Sequence, residues 1–337
     1  MKNAKGDEVK EQFLFFCTNI GNEKLLKEEI RIFYPDFSIS YSRKGFLTYK
    51  NKGIAYNLDS ISQLILTFST RAGICLGKSD PVHITSAIQS SFSELELNLE
   101  KCIIHNFSIN TDFVLAAAEI LNNKINEYAP INKVVTNIIS LGENEVWYGV
   151  HRGGKTTTNY PNSYFEIEVP DDAPSKSYFK IAQVVELYNI NVKSTDCWLD
   201  FGSAPGGAAH YLLEKGCEVW GIDPAKMDDR ILQNTKYTHL SKSVQNLSQE
   251  DLPHREIQWV HVDLNLNPKQ VIKEVLRLSK KYSSSLKGII FTVQIVKDEY
   301  IQHIEEFEES FLDWGFSEVI SRQVPSHKSE YVIMAKR

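Results

Sequence analysis

Residues 197–226 read CWLDFGSAPGGAAHYLLEKGCEVWGIDPAK. Residues 197–201 form a short apolar run of strand length. Gly202 to Gly207 (GSAPGG) predicts a tight turn, residues 208–215 a helix, and Gly216 its stop. Residues 218–223 (EVWGID) predict a second strand with an acid at its carboxyl end. The unit is strand, Gly-rich turn, helix, strand, with Asp223 about 20 residues past the first glycine. That pattern suits a nucleoside cofactor. Glycines let the backbone approach the ligand, and the acid accepts hydrogen bonds from ribose hydroxyls. The spacing is not G-x-G-x-x-G, which disfavours a dinucleotide, and no Gly-Lys-Ser/Thr follows, which argues against a triphosphate loop.

Working outward, residues 171–180 read DDAPSKSYFK, with Ser175 as a candidate N-cap and a helix expected over 181–188. Beyond the cofactor unit, strands are expected over 237–241, 257–263, 288–296, 317–324 and 330–336, and helices over 268–282 and 299–314. Such alternation predicts a Rossmann-like, doubly wound, mostly parallel α/β sheet with one antiparallel strand. Ligands of such sheets lie outside the carboxyl ends of the strands, where Asp200, Asp223 and Asp263 all fall.

The amino-terminal half predicts a strand over 12–20, a helix over 23–34 capped by Asn22, and a hairpin over 37–49. A helix from Asp59 or Ser60 through Phe68 and a strand over 71–77 follow. The order β-α-β-β-α-β suggests a ferredoxin-like α+β module. Helical segments over 83–99 and 112–126 and strands over 133–140 and 145–151 complete the domain. Residues 153–164 (GGKTTTNYPNSY) read as a linker, which places one domain at 1–165 and a second at 171–337.

At 337 residues the chain is long enough for two domains. Lys plus Arg number 37 against 43 Asp plus Glu, so RNA contact would need a local basic patch. No apolar run is long enough for a membrane span, and no signal core opens the sequence. Five scattered cysteines without a C-x-x-C pair fit a reduced, cytoplasmic setting, and no metal site is expected.

Asp200-Phe-Gly-Ser-Ala-Pro-Gly-Gly resembles the Asp-x-Gly-x-x-Pro-Gly-Gly loop of FtsJ-like, S-adenosylmethionine-dependent ribose 2′-O-methyltransferases. The Ala-Pro-Ser-Lys-Ser-x-x-Lys segment is similar to that of bacterial 23S rRNA 2′-O-ribose methyltransferases carrying an amino-terminal THUMP domain. Residues 15–29 (FFCTNIGNEKLLKEE) resemble the opening of THUMP-containing RNA methyltransferases. The resemblance implies a class I methyltransferase fold, S-adenosyl-L-methionine as cofactor and RNA, ribosomal RNA above all, as partner. It further implies that Asp200, Gly202, Ser203, Pro205, Gly206, Gly207 and Asp223 hold the cofactor. Of the family's Lys-Asp-Lys-Glu tetrad, the first lysine matches Lys180, the aspartate Asp263 and the glutamate Glu330. The second lysine, taken as the base in the family, falls on Gln294. An amide takes up no proton at ordinary pH. This opens two alternatives: an RNA-binding protein on a catalytically impaired methyltransferase fold, or a methyltransferase with a target other than ribose.

Overall fold

A computed structural model describes residues 11–107, 124–154, 157–295 and 298–337. The chain divides into two compact units, Met1–Phe165 and Glu166–Arg337.

The first unit contains β1 (Gln12–Cys17), α1 (Glu23–Phe33), β2 (Phe37–Arg43), β3 (Phe46–Asn51), α2 (Leu58–Ser62), β4 (Arg71–Ser79) and α3 (Ile84–Glu94). It continues with β5 (Ile103–Asn106), β6 (Lys124–Ile125), β7 (Val134–Gly142) and β8 (Glu145–Arg152). One sheet carries the order β2-β3-β1-β4-β8-β7-β5-β6. Its first four strands are antiparallel neighbours, and with α1 and α2 they make the ferredoxin-like arrangement expected from the sequence. α3 lays Ile84, Ile88 and Phe92 on a core with Ile104, Ile138 and Val150. This is the i, i+4, i+8 stripe of an amphipathic helix on a sheet.

Three expectations change here. The helix expected through Phe68 stops at Ser62. Asn57, not Asp59 or Ser60, caps it: its side chain accepts from the backbone of Asp59 and Ser60. The chain then turns to give the Thr67 and Phe68 N–H groups to the buried Glu29 carboxylate. That use of the N–H groups is incompatible with continuing the helix. Of the helix expected over 112–126, residues 112–123 lie outside the described residues, and Lys124–Ile125 form a strand.

The expected linker is also corrected. Lys155 lies outside the described residues, but the stretch from residue 157 is fastened to the first unit. Arg71, at the start of β4, is 1% exposed and reaches into this stretch. Its guanidinium donates to the Thr158 and Tyr160 carbonyls at 3.2 and 2.6 Å and to Ser163 Oγ at 3.3 Å. Polar composition predicted a free connection, but a buried arginine needs acceptors and these residues supply them.

The second unit contains α4 (Ser177–Leu187), β9 (Cys197–Phe201), α5 (Gly207–Glu214), β10 (Glu218–Ile222), α6 (Asp229–Leu232), β11 (Tyr237–Leu240) and β12 (Trp259–Asp263). α7 (Pro268–Ser279), β13 (Gly288–Gln294), α8 (Ile304–Trp314), β14 (Glu318–Arg322) and β15 (Glu330–Lys336) follow. The sheet order is β11-β10-β9-β12-β13-β15-β14. β9 to β13 run parallel, and β15 enters antiparallel between β13 and β14. The expected single antiparallel strand is therefore present. Central β9 is buried throughout, and Trp198 stacks on Trp259 of β12 with ring centroids 5.4 Å apart.

Candidate active site

β9 ends at Phe201, and Gly202 turns the chain with φ +83°. A Cβ at Gly202 would lie 2.1 Å from the Asp263 carbonyl oxygen, so only glycine allows this turn to cross the end of β12. Ala204–Pro205 is cis, and Gly206 sits at the N-cap of α5. At Gly207 a Cβ would meet Ser175 Oγ at 2.3 Å. The Gly-rich loop is thereby packed against the segment that leads into α4.

Asp223, just past β10, closes the loop from the other side. Its carboxylate accepts from Ala204 N at 3.1 Å and Ala225 N at 2.8 Å. The sequence assigned it to a ligand alone; the structure also makes it the tie between two strand ends. A carboxylate has about four lone-pair sites, so acceptor capacity remains. Ser203 is buried and its hydroxyl pairs with Tyr237 Oη at 3.0 Å, which fixes the loop.

Asp200 is fully buried. Its Oδ1 meets His261 Nδ1 at 2.7 Å, while Oδ2 has no partner among the described residues. A buried carboxylate oxygen without a donor is costly, and a ligand donor would relieve it. His261 escaped sequence reading. It lies on the same face of β12 as Asp263 and directly beside Asp200 in register.

The four tetrad positions come together at the carboxyl end of β12 and β13. α4 begins at Ser177, so Lys180 lies in its first turn and not ahead of the helix as expected. Lys180 Nζ is 2.7 Å from Glu330 Oε1 and 3.6 Å from Asp263 Oδ2. Gln294 pairs in register with Glu330 across β13 and β15. Its Nε2 donates to Glu330 Oε2 at 2.7 Å and to Asp263 Oδ1 at 3.1 Å. Both amide hydrogens are therefore committed to carboxylates. β13 ends at Gln294, short of the expected Val296, and Val296 and Lys297 lie outside the described residues.

Among the described residues, one cation thus faces two carboxylates. Burial disfavours the Lys180 ammonium, but attraction to Asp263 and Glu330 outweighs it, and the pKa rises above the ordinary lysine value. His327, buried nearby, is pushed down to about 3, by burial first and by the Lys180 charge second. It stays neutral, and no sequence pattern marked it. Among the described residues no group of three or more His, Cys, Asp or Glu is placed to hold a metal, and no helix is long and apolar enough to cross a membrane.

Residues 173–333 match the FtsJ-like methyltransferase family. An uncharacterised protein of Methanocaldococcus jannaschii is 26% identical over 138 residues, 41% of this chain and 38% of its own. Ribosomal RNA large subunit methyltransferase M of Thauera aminoaromatica is 20% identical over 52% of this chain and 48% of its own. The enzyme of that name from Pseudoalteromonas translucida is 23% identical over 49% and 45%. The chain spans less than half the length of the curated relatives it matches. The match lies over the seven-stranded sheet and the Gly-rich turn after β9, so residues 173–333 are similar to the FtsJ-like methyltransferases.

Proposed function

We propose that the protein transfers a methyl group to a ribose 2′-hydroxyl of RNA, with S-adenosyl-L-methionine as the donor and ribosomal RNA as the target. The observation that carries this reading is the Lys180–Asp263–Glu330 cluster beside the Gly-rich loop. The loop fits the cofactor: Asp200 Oδ2 offers a buried acceptor, and Gly202, Gly206 and Gly207 bring backbone to the crevice. In this reading Ser203 and Pro205 shape the turn, and Asp223 keeps acceptor capacity for the ribose. The bound cofactor supplies a methyl already activated on a sulfonium. Its methyl would pass to the 2′-oxygen as the carbon–sulfur bond breaks and the thioether leaves, and the hydroxyl proton would pass to a base. Lys180 Nζ takes it when neutral, while Asp263 and Glu330 aim the side chain. Gln294 cannot replace the family's second lysine as a base, and it adds no cation to lower the Lys180 pKa. Two acids against one cation keep Lys180 protonated at neutral pH, so turnover rises toward alkaline pH. The ferredoxin-like half of the first unit supports reading it as a THUMP-like, RNA-holding part. Five free cysteines support a cytoplasmic setting.

The test is mass spectrometry of nucleosides from RNA incubated with the full chain and S-adenosyl-L-methionine at pH 7 and pH 9. Ribose-methylated nucleosides are expected, with more at pH 9. Gln294→Lys should raise the rate at pH 7 about tenfold or more by restoring the second cation. Calorimetric cofactor binding without methyl transfer in either protein would favour the RNA-binding alternative, and base-methylated products the non-ribose one.

A further inference from the structure

We infer that Gln183 and Gln323 are positioning residues, which together hold the loop between β14 and β15 so that Glu330 stays on Lys180. The inference rests on the reading of Lys180 and Glu330 as working parts of the site.

The ladder between β14 and β15 ends at Arg322 and Val332. On its other side β15 stays paired for longer, through Gln294–Glu330 and then Ile295 N to the Ser329 carbonyl. Glu330 itself lies beyond Val332, the last register pair on the β14 side. Gln323 meets it there with its side chain. Its Nε2 donates to the Glu330 carbonyl at 2.8 Å and to the Lys328 carbonyl at 3.1 Å. One buried amide thus ties both carbonyls and closes the loop.

The loop is also tied to the helix that carries Lys180. Gln183 lies three residues after Lys180 in α4, on the same face, and is fully buried. Its Oε1 accepts from Ser326 N at 2.9 Å. An N–H can only be met by the oxygen, so the amide orientation follows from this contact. Its Nε2 is then buried with no partner among the described residues. A methionine would fill the same space without stranding that nitrogen. What the amide alone supplies is the acceptor that fixes the loop to α4. Lys180 and Glu330 come from positions 150 residues apart, and these two amides bridge that separation.

The experiment is an NMR titration of the Lys180 side chain in the full-length protein, with Lys180→Arg used to assign its signal. Glu330→Gln removes the contact outright and should lower the Lys180 midpoint by about one unit or more. Gln183→Met and Gln323→Met leave Glu330 in place but release its loop. Each should lower the midpoint in the same direction, by about half a unit. A merely structural role would lower the melting temperature and leave the midpoint where it is. Midpoints unchanged from wild type in folded Gln183→Met and Gln323→Met overturn the inference. If one variant fails to fold, the other decides. The titration needs no turnover, so it stands apart from the outcome of the methylation assay. Where methyl transfer is measured, the pH–rate midpoint should follow the same shift.

Discussion

Each unit gathers polar side chains around one cation, and the two clusters are built on opposite principles. In the second unit the Lys180 side chain is 23% exposed and faces two carboxylates. In the first unit Arg71 is 1% exposed, and its hydrogen-bond acceptors among the described residues are all neutral. Besides Thr158, Tyr160 and Ser163, it donates to His105 Nδ1 at 2.9 Å and Asn137 Oδ1 at 2.7 Å. Five N–H groups meet five acceptors, and Phe107 covers the guanidinium face at 4.5 Å. The histidine tautomers follow. His105 accepts at Nδ1 and donates from Nε2 to the Glu127 carbonyl, and His151 accepts from Asn137 and donates to the Thr158 carbonyl. In the first cluster every guanidinium N–H is committed to an acceptor among the described residues. The second keeps open acceptor sites and a partly exposed ammonium, which is what chemistry on an incoming hydroxyl requires.

The largest effect should separate the clusters by kind. Lys180→Ala should cut methyl transfer at pH 9 by about 10³-fold while leaving cofactor affinity and melting temperature near wild type. Equal losses of activity and stability would erase the contrast. Arg71→Met should do the reverse. Stranding the buried acceptors around it should destabilise the first unit by about 3 kcal/mol, read by hydrogen exchange in β4 and β7, with cofactor binding unchanged.

The smallest effect sharpens the comparison through pH. Burial holds His105 down at about 3 and His151 well below its ordinary value, with the Arg71 charge second in both. Above pH 6.5 folded and unfolded histidines are both neutral, and stability does not respond. Between about 6.5 and 3 the unfolded chain binds protons that the folded unit refuses, so stability falls with pH. The slope should be ~1.4 kcal/mol per pH unit for each histidine. Exchange rates in β7 measured from pH 7 to pH 5 check this, and His105→Gln should halve the slope.

The two clusters also differ in how far the sequence reveals them. Asp263, Gln294 and Glu330 each sit at a strand end, and the strands announce themselves by apolar runs. The resemblance to the FtsJ-like tetrad then singled out those three residues at the strand ends. Lys180 was found through its flanking motif, although the start of its helix was misplaced. Arg71 was hidden because its partners lie 34, 66 and up to 92 residues away, two of them on strands β5 and β7 and the rest in a stretch without periodicity. The same cause turned residues 153–164 into an expected linker. Asp200 was legible as a strand end, but His261 beside it needed the register of β9 and β12.

β15 follows β14 in the chain, yet it lies inside it in the sheet. During synthesis, β13 and β14 are polymerised before residues 330–336. Until then β13 presents an open edge, and Lys180 and Gln294 have no glutamate between them. The strand that seals this edge is the strand that brings Glu330, so completion of the sheet and completion of the site are one event. A nascent chain can hold the Gly-rich turn and still lack the means to use it. The Lys180–Glu330 contact arrives only with β15.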